Sequence, residues 1–203
     1  MIVIVDMGIG NTGSLLNMFR KIGAPASAST DPEAILAADK VVLPGVGSFQ
    51  RGVQRLTELG VRDALGEFAS RGRPMLGICL GMQLLTRKSE EGGDAGLGLI
   101  PGDTVRFRAP EGSRLKIPHM GWNTIRRSAS HPLFEGMPGD SRFYFVHSYH
   151  VVCDSPEATI AETDYGVSFP SSIARENVLG VQFHPEKSHR FGMQLLENFA
   201  RRI

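Results

Sequence analysis

Ile2-Val3-Ile4-Val5 is an unbroken apolar, mostly β-branched run, and Gly8-Ile9-Gly10-Asn11 follows it as a loop. A strand with no polar face must be covered on both sides, as in the parallel sheets of α/β proteins. From Thr12 to Ile22, Leu15, Leu16, Met18, Phe19 and Ile22 recur at helical spacing, and Gly23 with Pro25 supplies the stop. Asp31-Pro32-Glu33 places a cap and then proline at the first helical position, which predicts a short helix through Ala37. Lys40 to Leu43 reads as the next strand and leads through Pro44-Gly45-Val46-Gly47 into helices at about Gln50 to Glu58 and Val61 to Arg71. Pro74 to Cys79 is a further buried strand, with a helix over Leu80 to Arg87 entered without a gap.

The second half changes character, because strands follow one another without long helices between them. They are predicted at Thr104 to Phe107, Trp122 to Ile125, Phe143 to Val146, Tyr149 to Val152, Thr159 to Thr163, Ser171 to Ala174 and Val178 to Val181. Glu90 to Gly98 is a surface loop, and a last helix covers about Phe191 to Arg202. The expected fold class is therefore α/β: a mainly parallel open sheet flanked by helices, with an added antiparallel β portion in the second half.

A chain of 203 residues predicts one domain spanning 1–203, and 41% hydrophobic with 21% charged residues supplies an ordinary core rather than disorder. With 22 Lys and Arg against 21 Asp and Glu, the net charge of +1 offers no polyelectrolyte field for nucleic acid or an anionic membrane. Two cysteines, Cys79 and Cys153, do not make a disulfide scaffold. With neither a signal-peptide pattern nor an apolar run near the roughly 20 residues of a spanning helix, a cytoplasmic location is expected.

Gly77-Ile78-Cys79-Leu80-Gly81 puts a cysteine where a buried strand meets a helix. This is the cysteine form of a nucleophile elbow: a strained turn exposes the nucleophile, and small residues two positions away on each side relieve crowding. The alternative is a small core hydrophobe between chance glycines. A thiol nucleophile needs a base and a group that orients the base. His184-Pro185-Glu186 provides both at a strand end, since proline biases His184 toward an extended backbone in which residues two apart project to one side. An inert surface turn is the competing interpretation. Gly45 and Gly47 let the backbone approach a ligand closely, and an N–H there could complete an oxyanion hole.

Pro44-Gly45-Val46-Gly47, Gly77-Ile78-Cys79-Leu80-Gly81-Met82-Gln83 and His184-Pro185-Glu186, in this order, resemble the class I (triad) glutamine amidotransferase family, over nearly the whole chain. The resemblance implies hydrolysis of L-glutamine to L-glutamate and ammonia by a triad of Cys79, His184 and Glu186, with no metal or organic cofactor. It also implies an oxyanion site at the backbone around Gly47 and Leu80, and glutamine contacts at Gly45, Val46 and Gln83. Lys116-Ile117-Pro118-His119-Met120-Gly121-Trp122-Asn123, the run Phe143 to Tyr149, and His184 to Ser188 resemble the branch of that family whose glutaminase feeds ammonia to a cyclase subunit in histidine biosynthesis, as a heterodimer. That branch implies substrate contacts at Glu91, His147, Ser148 and Tyr149, partner contacts at Trp122 and Asn123, and an ammonia exit near Tyr144 and Lys187; for Trp122 a place in the core is the alternative. Met7 departs from the branch, which commonly has an aromatic after the aspartate. Cys153 matches no motif and is expected to be structural.

Three other functions are compatible with parts of this pattern. Another amidotransferase of the class, serving a different synthase, would share the triad and differ at Gly-Trp-Asn and His-Ser-Tyr. Related cysteine peptidases commonly place histidine directly after the nucleophile, where this chain has Leu80. A non-catalytic glutamine-binding regulatory subunit would have lost Cys79, His184 or Glu186.

Overall fold

A computed structural model describes residues 1–108, 115–128 and 130–203. Its central sheet has eight strands. Five run parallel: β1 (Ile2–Val5), β2 (Ala26–Ser29), β3 (Lys40–Gly45), β4 (Met75–Cys79) and β12 (Val178–Val181). The others, β7 (Arg126–Arg127), β10 (Thr159–Asp164) and β11 (Ser168–Arg175), extend it antiparallel, in the order β2-β1-β3-β4-β12-β11-β10-β7. Two antiparallel pairs complete the second half, β5 (Gly102–Arg106) with β9 (Tyr149–Cys153) and β6 (His119–Thr124) with β8 (Arg142–His147). The predicted α/β class with its antiparallel addition is the observed one.

Helices cover both faces of the parallel strands, as the unbroken apolar runs require. Ile2 and Ile4 of β1 share one core with Leu15 and Phe19 of α1 (Thr12–Lys21) and with Leu195, Leu196 and Phe199 of α6 (His189–Arg202). Val3 and Val5 point the other way, into a core with Ile35 of α2 (Pro32–Ala37), Phe49, Val53 and Leu56 of α3 (Phe49–Glu58), and Leu65 and Phe68 of α4 (Arg62–Ser70). Each such large side chain, fully removed from water, stabilises the fold by roughly 1.5–3 kcal/mol before entropy is counted. Among the described residues no helix is long and apolar enough to cross a membrane.

Three details differ from the sequence expectation. Strand β2, Ala-Ser-Ala-Ser, carries no apolar run and forms only because β1 offers it a parallel edge. Helix α5 (Leu80–Leu84) is one turn rather than a helix to Arg87. Its end tightens as Leu85 and Thr86 donate three residues back, and the loop around Gly96 claims the next carbonyls, with Leu97 N–H on Leu84 at 2.7 Å and Gly98 N–H on Thr86 at 3.1 Å. Finally, the chain after His184 leaves the extended state at once, and Pro185–Lys187 form a 3₁₀ turn.

The sheet order assembles what lies far apart in sequence. Gly45 at the end of β3 is in register with Cys79 at the end of β4, and Ile78 with Val181 of β12. The carboxyl ends of three adjacent parallel strands thus deliver Val46-Gly47, Cys79 and Gln182-Phe183-His184 to one edge, the usual ligand position of open α/β sheets.

Candidate active site

Cys79 sits at φ +54° and ψ −109°, a conformation that side chains with a Cβ rarely adopt. The chain tolerates it because the residues two positions away on each side, Gly77 and Gly81, carry no side chains. A Cβ on Gly81 would lie 1.7 Å from the Leu43 carbonyl oxygen, and one on Gly77 would lie 2.7 Å from the Gly81 backbone. Strand, turn and helix are therefore pressed together at backbone contact, and the thiol is held at the mouth of a cleft rather than in the sheet.

That cleft, about 310 Å³, is lined by Val46, Gly47, Cys79, Leu80, Gln83, Glu91, Pro118, Val146, His147, Ser148, Tyr149 and His184. Gly45 lies beneath it, where a Cβ would crowd Leu80 at 3.1 Å. Six separate segments of sequence thus meet in one concavity.

His184 is buried at the C-terminal end of β12, and its backbone N–H donates to the Tyr144 carbonyl at 2.9 Å. Its Nδ1 pairs with Glu186 Oε1 at 2.8 Å, although by way of the 3₁₀ turn rather than along an extended strand. An ionised carboxylate only accepts, so Nδ1 carries the proton and Nε2 is turned to the remaining task. Nε2 is buried without a hydrogen-bond partner among the described residues, and His184 lines the same cleft as Cys79. Burial by itself would push the His184 pKa down, but the neighbouring Cys79 and Glu186 side chains, which favour the charged imidazole, outweigh it and bring it up to about 10. For Glu186, burial raises the pKa, yet His184 and Asn11 hold it below the ordinary value. Asn11, at the start of α1, donates from Nδ2 to Glu186 Oε1 at 2.9 Å. Motif reading marks the loop that ends at Asn11 but not the reach of Asn11 to Glu186, 175 residues away in sequence.

The segment opposite is stiffened by a buried pair of histidines. His147 Nδ1 meets the Tyr149 carbonyl at 2.7 Å, and His147 Nε2 meets His119 Nδ1 at 3.0 Å. Burial lowers the pKa of His119 to about 4 and that of His147 to about 3. These shifts and that of His184 have opposite consequences for stability. The unfolded chain binds protons near pH 6.5 that folded His119 and His147 refuse, so stability is lost as pH falls from 6.5 through 4 toward 3. Folded His184 holds its proton to about 10, so its contribution is complete below pH 6.5 and is lost as pH rises through 10. Melting temperatures across this range should peak near pH 6.5, and Glu186→Gln should flatten the alkaline limb. An alkaline limb of equal slope in both proteins would refute the coupling.

Of the two backbone groups expected to meet an oxyanion, Gly47 adopts φ +101° and its N–H donates to no backbone carbonyl among the described residues. Leu80 begins α5, so its N–H has no intrahelical acceptor. The neighbouring Val46 N–H is instead occupied, donating to the Ile9 carbonyl at 2.7 Å. Glu91 lines the cleft while its carboxylate accepts from the Phe49 N–H at 2.6 Å.

Beside the cleft, Trp122 is 47% exposed and therefore no core residue; it stacks on His189 at 5.3 Å and meets Tyr144 edge-on. Lys187 Nζ lies 5.6 Å over the Tyr144 ring. Asn123 is spent within the chain, donating to the Asp164 carbonyl at 2.9 Å and to His119 Nε2 at 3.3 Å. Met7 is buried, and its carbonyl accepts from Arg55 at 2.8 Å. Cys153 is half-buried and free, its thiol pushed up by burial.

A buried sulfur on an elbow, an oriented imidazole and a cleft beside them are equipped for acyl transfer through a thioester. The family model described as glutamine amidotransferase class-I matches residues 3–203, and the chain belongs to that family. Solved structures of the same fold include a glutamine amidotransferase from Thermotoga maritima, with TM-score 0.67 at 16% identity over 98% of this chain and 81% of that one, and a chain of PurLQS from the same organism, with 0.72 at 17% over 98% and 96%. Among curated relatives, the chain is 50% identical over 202 residues to imidazole glycerol phosphate synthase subunit HisH 2 of Methanococcus maripaludis, covering 99% of each. It is 48% identical to the protein of that name in Pseudomonas aeruginosa over 98% of each. Within the class-I family it falls among the HisH subunits of imidazole glycerol phosphate synthase.

Proposed function

We propose that this chain is the cytoplasmic glutaminase partner of a cyclase subunit, hydrolysing L-glutamine and passing the ammonia on within a heterodimer that makes imidazole glycerol phosphate. The observation that carries the chemistry is the sharing of one cleft by Cys79, on its strained turn, and His184, which Glu186 orients from behind. Cys79 sulfur attacks the side-chain amide carbon of glutamine, and N–H groups at Gly47 and Leu80 receive the oxyanion. His184 gives its Nε2 proton to the departing nitrogen as the C–N bond breaks, which leaves a γ-glutamyl thioester. Water, losing a proton to His184, then attacks that carbon, and glutamate leaves as the sulfur recovers its electron pair. Glu186 holds the imidazole in one tautomer throughout.

The partner is supported by the exposed apolar side chains around the mouth: Trp122, with Met120 at 61% and Val46 at 39% exposure, beside the Tyr144–Lys187 contact. The Val46–Ile9 hydrogen bond ties up a donor at the oxyanion side, so a partner that turns this peptide adds catalytic power; one oxyanion donor is worth about 10²–10³ in turnover. Glutamate release should be strong only when the purified chain is mixed with the matching cyclase subunit and its nucleotide ligand, and absent in Cys79→Ala. Wild-type release at the blank level in the full mixture would remove the pathway assignment.

A further inference from the structure

Gln182 lies two residues before His184, wholly buried, with its backbone N–H on the Ser171 carbonyl at 2.9 Å. The direction of its carboxamide follows from one backbone group. The Tyr149 carbonyl only accepts, so Gln83 Nε2, 3.3 Å away, donates to it. The same Nε2 lies 3.0 Å from the Gln182 side chain and again can only donate, so Gln182 presents its oxygen there. The other end of Gln182 is therefore its NH₂ group, and this end lies 3.7 Å from Cys79 Sγ.

We propose that Gln182 is a further catalytic residue, an N–H donor held against the nucleophilic sulfur, resting on the glutaminase function proposed above. A hydrogen bond to an ionised acceptor is roughly twice as strong as one between neutral groups. The Gln182 N–H therefore favours the thiolate over the thiol, which increases the reactive form before attack. It acts again when the thioester breaks, because negative charge then returns to the sulfur as glutamate forms. The same side chain has a second effect: by taking one Gln83 proton while Tyr149 takes the other, it engages both donors of Gln83, so that this cleft-lining side chain can meet a substrate only as an acceptor.

Two substitutions separate these effects. Gln182→Glu keeps an oxygen for Gln83 and removes the donor to sulfur; Gln182→Met keeps the approximate volume and removes both. Alkylation of Cys79 by iodoacetamide is read by peptide mass spectrometry in a Cys153→Ser background, alongside kcat and KM for glutamine in the assembled enzyme. Loss of a hydrogen bond to a charged group predicts alkylation and kcat slowed on the order of 10- to 100-fold in both variants, with KM raised in Gln182→Met alone. Alkylation within twofold of wild type in folded variants would overturn the proposal, and a rise in KM as the sole effect would do the same, since Gln182 would then act through Gln83 only. Alkylation does not require glutamine hydrolysis. A wild-type chain that fails the glutaminase assay yet shows the alkylation difference would remove the proposed function and leave the sulfur contact standing.

Discussion

Replacing Cys79 by alanine will lower glutamate release by the assembled enzyme by about 10⁶-fold, the loss found when the nucleophile of a triad is removed. The size follows from the arrangement. His184 is oriented by Glu186, which is in turn held by Asn11, and without sulfur none of these groups has an acyl acceptor to serve. The thioester route is then closed, and what remains is binding and oxyanion stabilisation. The fold will survive, because the turn at residue 79 is imposed by backbone packing and not by the thiol. The backbone strain at φ +54° adds a second, smaller expectation: Cys79→Gly should be more stable than Cys79→Ala by about 1 kcal/mol, since glycine occupies this region without a Cβ penalty. Paired urea titrations measure that difference, and an alanine variant as stable as the glycine variant would mean that the turn is not strained.

Gly81→Ala will cost at least about 3 kcal/mol of stability, or prevent folding. Ordinary overpacking is relieved when a flexible neighbour moves, but here the added Cβ would meet the Leu43 carbonyl oxygen at 1.7 Å, a backbone atom in a central strand. Relief requires α5 to lift from β3 and β4, carrying Cys79 away from His184, so any folded fraction will also have lost activity. Gly66→Ala supplies the contrast. It lies inside α4 with nothing near its missing Cβ, so the same change there should raise stability by about 0.5–1 kcal/mol. Urea midpoints shifting in the same direction for both variants would contradict the packing described around the elbow.

The parts of the molecule legible in the sequence are those where one local pattern has one physical cause. Ile2–Val5 announces a strand buried on both faces because no polar residue interrupts it, and Asp31-Pro32-Glu33 announces a helix start, with Asp31 accepting from the Glu33 N–H at 3.0 Å. Gly77 and Gly81 were readable as spacing around Cys79, since a tight turn leaves no room for Cβ atoms. Strand β2 was not readable: Ala26–Ser29 alternates two small residues and owes its conformation to β1. The short α5 was missed for a related reason, because the loop around Gly96 captures carbonyls that a longer helix would have used. Site residues divide in the same way. Cys79, His184 and Glu186 stand in marked motifs, whereas Asn11 and Gln182 matter through atoms that only the sheet order brings near. Trp122 could have been core by composition; its place on an exposed strand face decides otherwise.

Whether Cys79 is the sulfur that takes the γ-glutamyl group is read out by labelling the assembled enzyme with a chloroketone analogue of glutamine and mapping the adduct by mass spectrometry. One adduct is expected, on the peptide containing Cys79, prevented by excess glutamine and absent in Cys79→Ala. Labelling at Cys153 instead, or labelling at Cys79 that glutamine does not compete away, would contradict it.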